Sequence, residues 1–153
     1  MKILHENVAG LPAEHKSEHP GYDCLKKAFV QRGGSENMKA AFYELAPGKA
    51  AYPYHYHTQN EELFFILSGQ GTLRTPAGER QVAAGDLIFF PAGEEGAHKL
   101  TNTGEEPLTY LDVDVAHKVD VAVYPDSGKV GIWGGGIRKV FALADEKDYY
   151  DGE

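Results

Sequence analysis

Turns rich in glycine and proline divide the middle of the chain into short apolar segments. The segments between residues 38 and 115 are about four to eight residues long, a length typical of β-strands. The turns that separate them include Ala46-Pro47-Gly48, Pro76-Ala77-Gly78, Ala83-Ala84-Gly85 and Asn102-Thr103-Gly104. Long stretches with the period of a helix are missing. Closely spaced short strands indicate a sandwich or a barrel, so we predict an all-β protein.

The chain has 153 residues, which is enough for one domain with a core of its own. We predict an N-terminal arm and edge strand over residues 1–36, a barrel core over 37–116, and a C-terminal hairpin with an acidic tail over 117–153. Within the first part, Met1–Pro20 is polar and is interpreted as an arm or an edge strand. Gly21–Val30 is expected to add an edge strand.

Charge and cysteine content exclude several classes of partner. The formal net charge is −8, which argues against nucleic acid or an anionic membrane surface as the partner. No apolar run approaches the ~20 residues that a membrane span requires. Cys24 is the single cysteine, so an intrachain disulfide framework is excluded and a cytoplasmic protein is expected. Cys24 itself is interpreted as a small buried apolar residue.

A cluster of candidate metal ligands begins at His55. His55 and His57 are two residues apart, so in an extended strand their side chains leave the same face. The acidic pair Glu61-Glu62 follows, and His98 comes about thirty residues later. Imidazole and carboxylate together suit first-row divalent transition metals. The alternation of side chains along a strand does not show whether Glu61 or Glu62 lies on the same face as the histidines, because the polar residues 58–60 interrupt the strand.

Other polar residues leave alternatives open. Asp112 and Asp114 share one face of a predicted strand, Leu108–Val115. An inward face would make Asp112 a base or a partner of a metal ligand. An outward face would make both aspartates surface charges, and we favour this second orientation.

The remaining candidates are aromatic and basic side chains, or histidines outside the cluster. We favour packing for the tyrosines, although one of them could donate a hydrogen bond to a substrate. We favour solvated charges for the basic residues, although they could meet an anionic ligand. We expect the histidines of the arm to be solvated and His117 to lie on the surface. The tyrosines are Tyr52, Tyr54 and Tyr56. The basic residues are Arg74, Arg80 and Lys99, and the histidines of the arm are His5, His15 and His19.

Two ordered motifs make the chain resemble the cupin family. The first motif consists of Gly48, His55, His57, Glu62 and Gly69. The second consists of Gly85, Pro91, Gly93, His98 and Asn102. Two spacings depart from the family pattern: the gap from Gly48 to His55 is one residue longer than usual, and four residues rather than two separate Gly93 from His98.

The resemblance implies a double-stranded β-helix, or jelly-roll β-barrel. It also implies that His55, His57, Glu62 and His98 point into one end of the barrel and bind one divalent metal ion, which could be Zn, Fe, Mn, Ni or Co. The six-residue spacing to Gly69 selects Glu62 over Glu61, which is expected to face solvent. Small single-barrel cupins are commonly homodimers, and a homodimer is expected here.

Function is less tightly constrained than fold, because cupins include dioxygenases, decarboxylases, isomerases, epimerases and binding modules. We expect a protein that holds a metal and acts on or binds a small oxygen-rich molecule. One alternative is a non-catalytic module for a sugar or another small ligand. A further alternative is an enzyme resembling a sugar-phosphate isomerase or a dioxygenase. A purely structural metal is disfavoured, because structural zinc sites are usually closed and thiolate-rich.

Overall fold

The structure is a computed structural model that describes residues 3–31 and 34–153. It contains thirteen strands and four short 3₁₀ helices in this part of the chain, which confirms the all-β prediction. The strands are β1 Glu14–His19, β2 Tyr22–Val30, β3 Met38–Leu45, β4 Tyr56–His57, β5 Glu62–Ser68, β6 Gln70–Thr75, β7 Gly78–Ala83, β8 Leu87–Phe90, β9 Lys99–Thr101, β10 Leu108–Val115, β11 Val119–Tyr124, β12 Lys129–Gly134 and β13 Ile137–Ala142. The 3₁₀ helices span Val8–Gly10, Glu94–Gly96, Pro125–Ser127 and Leu143–Asp145. Among the described residues, we find no helix with the length and apolarity needed to cross a membrane.

The strands form three antiparallel sheets. Six strands pair in the order β1-β2-β3-β10-β5-β8, four in the order β13-β12-β11-β4, and three in the order β7-β6-β9. One apolar core is shared between the six-stranded and three-stranded sheets. It includes Tyr43, Ile66 and Tyr110 from the first and Leu73 and Leu100 from the second. Cys24 belongs to this core and is 1% exposed, which confirms its interpretation as a buried apolar residue.

Strand register arranges the inward side chains of β3, β10 and β5 in rows that become polar towards one end. Each row crosses the three strands at paired positions. The first row is apolar, the second carries one aspartate, and the third is charged throughout. These rows are Tyr43–Tyr110–Ile66, Ala41–Asp112–Phe64 and Lys39–Asp114–Glu62. The core therefore occupies one end of the barrel and a polar cluster the other.

Asn102, the last residue of the second motif, joins the end of β3 to the turn before β10. It is fully buried. Its side-chain N–H donates to the carbonyl oxygens of Leu45 (2.9 Å) and Glu106 (2.8 Å), and its Oδ1 accepts from the N–H of Gly104 (2.9 Å). The amide thus connects three main-chain groups by hydrogen bonds, and its role is structural.

One strand prediction was wrong. Gly21–Val30 was expected at a sheet edge, but β2 lies between β1 and β3, and the polar residues 14–19 form the edge instead. Around the first histidines, only Tyr56–His57 forms a strand. Pro53 lacks the N–H that a ladder requires, so residues before β4 are irregular. His55 joins His98 by a single bridge, and His98 precedes β9 instead of lying within it.

Candidate metal centre

Three histidines and one glutamate converge at the polar end of the barrel. His55 and His98 exchange main-chain hydrogen bonds of 3.1 and 2.9 Å, which brings their rings to 4.8 Å between centroids. The ring of His57 lies 5.1 Å from that of His55. Glu62 reaches in from the six-stranded sheet, with Oε1 3.6 Å from His57 Nε2 and Oε2 3.2 Å from His98 Nε2. The ligand atoms of His55, Glu62 and His98 thus all lie within 4.8 Å of one another. His57 lies beside this group through its approach to Glu62, and Glu61 is exposed as expected.

The Nδ1 atom of each histidine is engaged by an acceptor. His55 Nδ1 donates to the carbonyl oxygen of Pro53 and His98 Nδ1 to that of Gly96, both at 2.8 Å. His57 Nδ1 donates to the carboxylate of Asp120. A proton on Nδ1 leaves the Nε2 lone pair free, which is the state in which a neutral imidazole binds a metal.

Burial keeps His55 and His98 neutral. Burial, together with the neighbouring His57, lowers the pKa of His55 to about 4. Burial and the nearby His55 lower the pKa of His98 to about 3. Burial also raises the pKa of Glu62 well above its usual value, and the carboxyl group of Asp114 adds to the shift. Both imidazoles are therefore ready to act as ligands at neutral pH, whereas the carboxylate form of Glu62 needs a nearby positive charge.

The buried polar atoms of the cluster suit a divalent cation. Glu62 Oε2 and His98 Nε2 are buried, and neither has a hydrogen-bond partner among the residues that the structure describes. An unpaired buried polar atom costs about 1–3 kcal/mol. A cation placed between these atoms would satisfy both, and imidazole with carboxylate is a ligand set that Zn, Fe, Mn, Ni and Co accept. The residues can therefore hold such an ion.

The preferred orientation of Asp112 and Asp114 was wrong, because both side chains are buried inside the barrel. Alternation could not show this, since each face of β10 carries large apolar residues, Tyr110 on one and Leu111 on the other. Lys39 Nζ lies 2.7 Å from Asp114 Oδ2. Burial opposes ionisation of Asp114, but its contacts with Glu62 and Lys39 hold its pKa below the usual value.

Asp112 borders a small cavity beside the metal cluster. The cavity has about 20 Å³ of room for water, and its lining includes Tyr52, His55, Glu62, His98, Tyr110 and Asp112. Asp112 Oδ1 is buried and has no hydrogen-bond partner in the described part of the chain. Burial, reinforced by the charge of Asp114, raises the pKa of Asp112 well above its usual value. A carboxyl group that can hold a proton thus adjoins the candidate ligands.

The flanking tyrosines mostly pack, as favoured from the sequence. The hydroxyl groups of Tyr52 and Tyr43 are hydrogen-bonded at 2.9 Å. Tyr54 is buried beneath the guanidinium group of Arg74, which lies 3.9 Å from the ring centroid. The same guanidinium binds both carboxylate oxygens of Asp126, at 2.6 and 2.9 Å. The side chain of Arg74 is nevertheless 41% exposed. Arg74 is therefore a solvated strand charge, as favoured from the sequence, and it forms an ion pair at the surface.

Sequence reasoning missed Asp120 and Asn60. Asp120 is 1% exposed and hydrogen-bonded to His57, from which it is separated by 63 positions along the chain. Asn60 is also buried, and its Oδ1 accepts from the main-chain N–H of His117 at 3.0 Å. The side chain of His117 is exposed, as expected. An aspartate at the start of a short strand carries no sign of these contacts, which depend on the pairing of β11 with β4.

The sequence is similar to proteins of several kinds. The family model described as the cupin domain matches residues 41–114. The chain is 32% identical over 132 residues to auxin-binding protein T92 of Nicotiana tabacum, covering 80% of this chain and 69% of that protein. It is 28% identical over 128 residues to a glucose-6-phosphate isomerase of Thermococcus gammatolerans, covering 74% of this chain and 67% of the relative. It is 27% identical over 129 residues to auxin-binding protein 1 of Arabidopsis thaliana, covering 78% of this chain but only 63% of the relative's length.

Solved structures share nearly the whole fold. A proposed sugar phosphate isomerase of Acidithiobacillus ferrooxidans superimposes with a TM-score of 0.81 at 29% identity, covering 92% of this chain and 91% of that one. A second protein, from Silicibacter pomeroyi, has the same TM-score at 21% identity, covering 95% of this chain and 96% of that one, and supports the fold alone. The double-stranded β-helix, or jelly-roll barrel, is thereby confirmed. On the matched region, the relative from Nicotiana and the shared fold, this chain belongs to the cupin family.

Proposed function

We propose that this cupin is a metal-dependent isomerase that interconverts the aldose and ketose forms of a small phosphorylated sugar. The observation that carries the proposal is the presence of Asp112 beside the His/Glu cluster, on a shared cavity. A 1,2-isomerisation needs a cation to stabilise an enediolate and a group to move a proton, and the site offers residues for both. The similarity to a proposed sugar phosphate isomerase and to a glucose-6-phosphate isomerase supports this substrate class.

The ligands in this proposal are His55, His57, Glu62 and His98. A bound divalent ion would polarise the carbonyl group of the sugar and the hydroxyl group next to it. The side chain of His57 is 13% exposed and that of His98 3%, so the sugar would approach from the side of His57.

Asp112 would move the proton between the two carbon atoms. Its carboxylate would take the proton from the carbon that carries the hydroxyl group and return it to the former carbonyl carbon, while the hydroxyl proton passes to the former carbonyl oxygen. No oxidant or reductant is consumed. Burial raises the pKa of Asp112 well above its usual value, which makes the carboxylate a stronger base than an exposed aspartate.

Replacing Asp112 with asparagine tests the assigned role. We expect Asp112→Asn to retain the metal and to lose isomerisation by at least about a hundredfold, since general-base catalysis contributes about 10²–10⁴-fold. The assay follows interconversion of aldose and ketose phosphates of three to six carbons by NMR, after reconstitution with each candidate metal. Asp145→Asn, in the exposed tail, is the matched control. Full activity in Asp112→Asn would refute the role of Asp112, and no turnover of any sugar by the metal-loaded wild type would refute the isomerase.

A binding module is the second candidate, favoured by the similarity to auxin-binding proteins. In that case the metal and the polar end of the barrel would hold a small carboxylate or sugar without turnover. Calorimetry with the metal-loaded protein separates the two candidates, because a binding module gives saturable heat with unchanged ligand, whereas an isomerase converts it.

We also propose a homodimer formed through the outer face of the six-stranded sheet. Strands β5 and β8 present Leu63, Leu67, Leu87 and Phe89 outward, with exposures of 37%, 42%, 69% and 58%. Leu63 and Phe89 are cross-strand partners, so the apolar side chains form one continuous patch. A second copy is the occupant we favour, because two such faces would bury each other's apolar residues.

The dimer prediction is checked by light scattering coupled to size-exclusion chromatography. We expect a dimer in the wild type and a monomer in the double variant Leu87→Glu/Phe89→Glu, because each glutamate would have to be buried unpaired in the interface. Tyr149→Glu, at an exposed aromatic residue in the tail, should remain dimeric. A monomeric wild type at about 100 μM, or a dimeric double variant, would contradict the proposal.

A further inference from the structure

Asp120 lies behind His57, on the side away from Glu62. Its Oδ2 accepts the hydrogen bond of His57 Nδ1, and its Oδ1 accepts from the main-chain N–H groups of Gln59 (3.0 Å) and Asn60 (3.3 Å). The side chain is 1% exposed, so these contacts form away from bulk water. One buried carboxylate therefore holds both the ring of His57 and the loop that follows it.

The segment around Asp120 is attached to this loop by further hydrogen bonds. The N–H of Thr58 donates to the carbonyl oxygen of Val121 at 2.9 Å, and the N–H of His117 donates to Asn60 Oδ1 at 3.0 Å. This segment lies beyond residues 41–114, the region that the cupin-domain model matches. A part of the chain outside the region matched by the cupin-domain model thus supports the loop between β4 and β5.

We propose that Asp120 is a positioning residue of the metal site, which fixes the tautomer and the orientation of His57 so that Nε2 faces Glu62. The inference rests on the proposed metal function for its purpose, but the orientation of the ring is a property of the protein alone. His55 and His98 differ from His57, because each donates to a carbonyl oxygen only two residues earlier in the chain. The orientation of the His57 ring depends instead on a charged side chain that is 63 positions away along the chain.

The choice of a carboxylate has a chemical consequence. A carboxylate that accepts from Nδ1 makes the imidazole a stronger donor through Nε2 than a carbonyl oxygen does. It also places a negative charge behind the ring, where it attracts a cation bound on the opposite side. His57 is also the most exposed of the three histidines. Its hydrogen bond to Asp120 therefore restrains a ring that its position would otherwise leave free to rotate.

The variant Asp120→Asn distinguishes a role of Asp120 in fixing the tautomer of His57 from a role in holding the loop that follows His57. Asparagine keeps the Oδ1 that accepts from Gln59 and Asn60 but presents an NH₂ group to His57 Nδ1, so the ring must carry its proton on Nε2. We expect the affinity for Zn²⁺, measured by competition with a chelator, to fall by about 10–100-fold. In the metal-free protein, ¹⁵N NMR should show the His57 proton move from Nδ1 to Nε2. Asp145→Asn is the control and should change neither result.

Asp120→Glu is the second variant, because glutamate keeps a carboxylate acceptor while disturbing the loop. It should retain the Nδ1–H tautomer of His57 and bind Zn²⁺ more tightly than Asp120→Asn does. Wild-type affinity in Asp120→Asn, or an Nε2–H tautomer in the wild-type protein, would overturn the inference. A wild type that takes up no Zn²⁺ would defeat the proposed metal function, and the tautomer measurement would then still decide the role of Asp120.

Discussion

Glu62→Gln is expected to abolish stoichiometric metal binding while leaving the barrel folded. Glu62 is the anionic member of the cluster, and each of its two oxygens lies within 3.6 Å of an Nε2 atom. Glutamine has nearly the same volume, so the packing beside its cross-strand partner Phe90 is preserved. A ligand at a thousand times its dissociation constant adds about 4 kcal/mol to stability. The variant should therefore lose both the metal, measured by elemental analysis, and that increment in thermal unfolding.

The same substitution should not destabilise the metal-free protein. Burial raises the pKa of Glu62, so the folded state favours the protonated group, and its contribution to stability is lost as the pH rises through the folded pKa. Glutamine cannot ionise, and at pH 8 the metal-free variant should unfold at or above the wild-type temperature. Glu61→Gln is a matched control at the adjacent, exposed residue and should keep its metal. Equal losses from the two variants, or a full complement of metal in Glu62→Gln, would rule out Glu62 as a ligand.

Asn102→Ala is expected to cause the largest loss of stability among single polar substitutions considered for this barrel. It removes three hydrogen bonds and leaves the buried carbonyl oxygen of Leu45 without its side-chain donor. With about 1 kcal/mol or more for each group left unpaired, the free energy of unfolding should fall by about 3 kcal/mol. For a chain of this size that corresponds to a melting temperature about 10 °C lower.

Chemical denaturation of the metal-free protein measures this effect without interference from the site. Asn7→Ala is the comparison, because Asn7 is exposed and its side chain makes one local hydrogen bond, to the N–H of Ala9. That variant should change the free energy of unfolding by less than about 1 kcal/mol. Similar losses in the two variants would show that burial of Asn102 contributes little. An Asn102→Ala protein without stoichiometric metal but with normal stability would show that Asn102 supports the metal site and not the fold.

Local sequence signals predicted the barrel strands well where turns and alternation agreed. Leu108–Val115 has the predicted bounds, because a turn with glycine, two glutamates and proline precedes it. The four candidate ligands could be named because their spacing follows a family pattern, and three of them lie at or beside irregular backbone that alternation alone would not have placed.

The contacts missed from the sequence depend on which strands become neighbours. Asp112 has apolar residues on both sides of its strand, so the inward face was set by pairing with β3 and β5 and not by composition. Asp120 meets His57 only because β11 pairs with β4 at residues 122 and 57. Such pairings join positions some sixty residues apart, and a single sequence contains no local energy term that specifies them.

The candidate ligands belong to different sheets, and this has a consequence for how a metal would be acquired. His57 lies in the four-stranded sheet, Glu62 in the six-stranded sheet, and His98 immediately before a strand of the three-stranded sheet. Because the ligand set is complete only when the three sheets have met, the unfolded chain would hold an ion weakly, and the folded protein would take it up from the side of His57. An ion bound to all of these residues would then connect the three sheets and stabilise their arrangement.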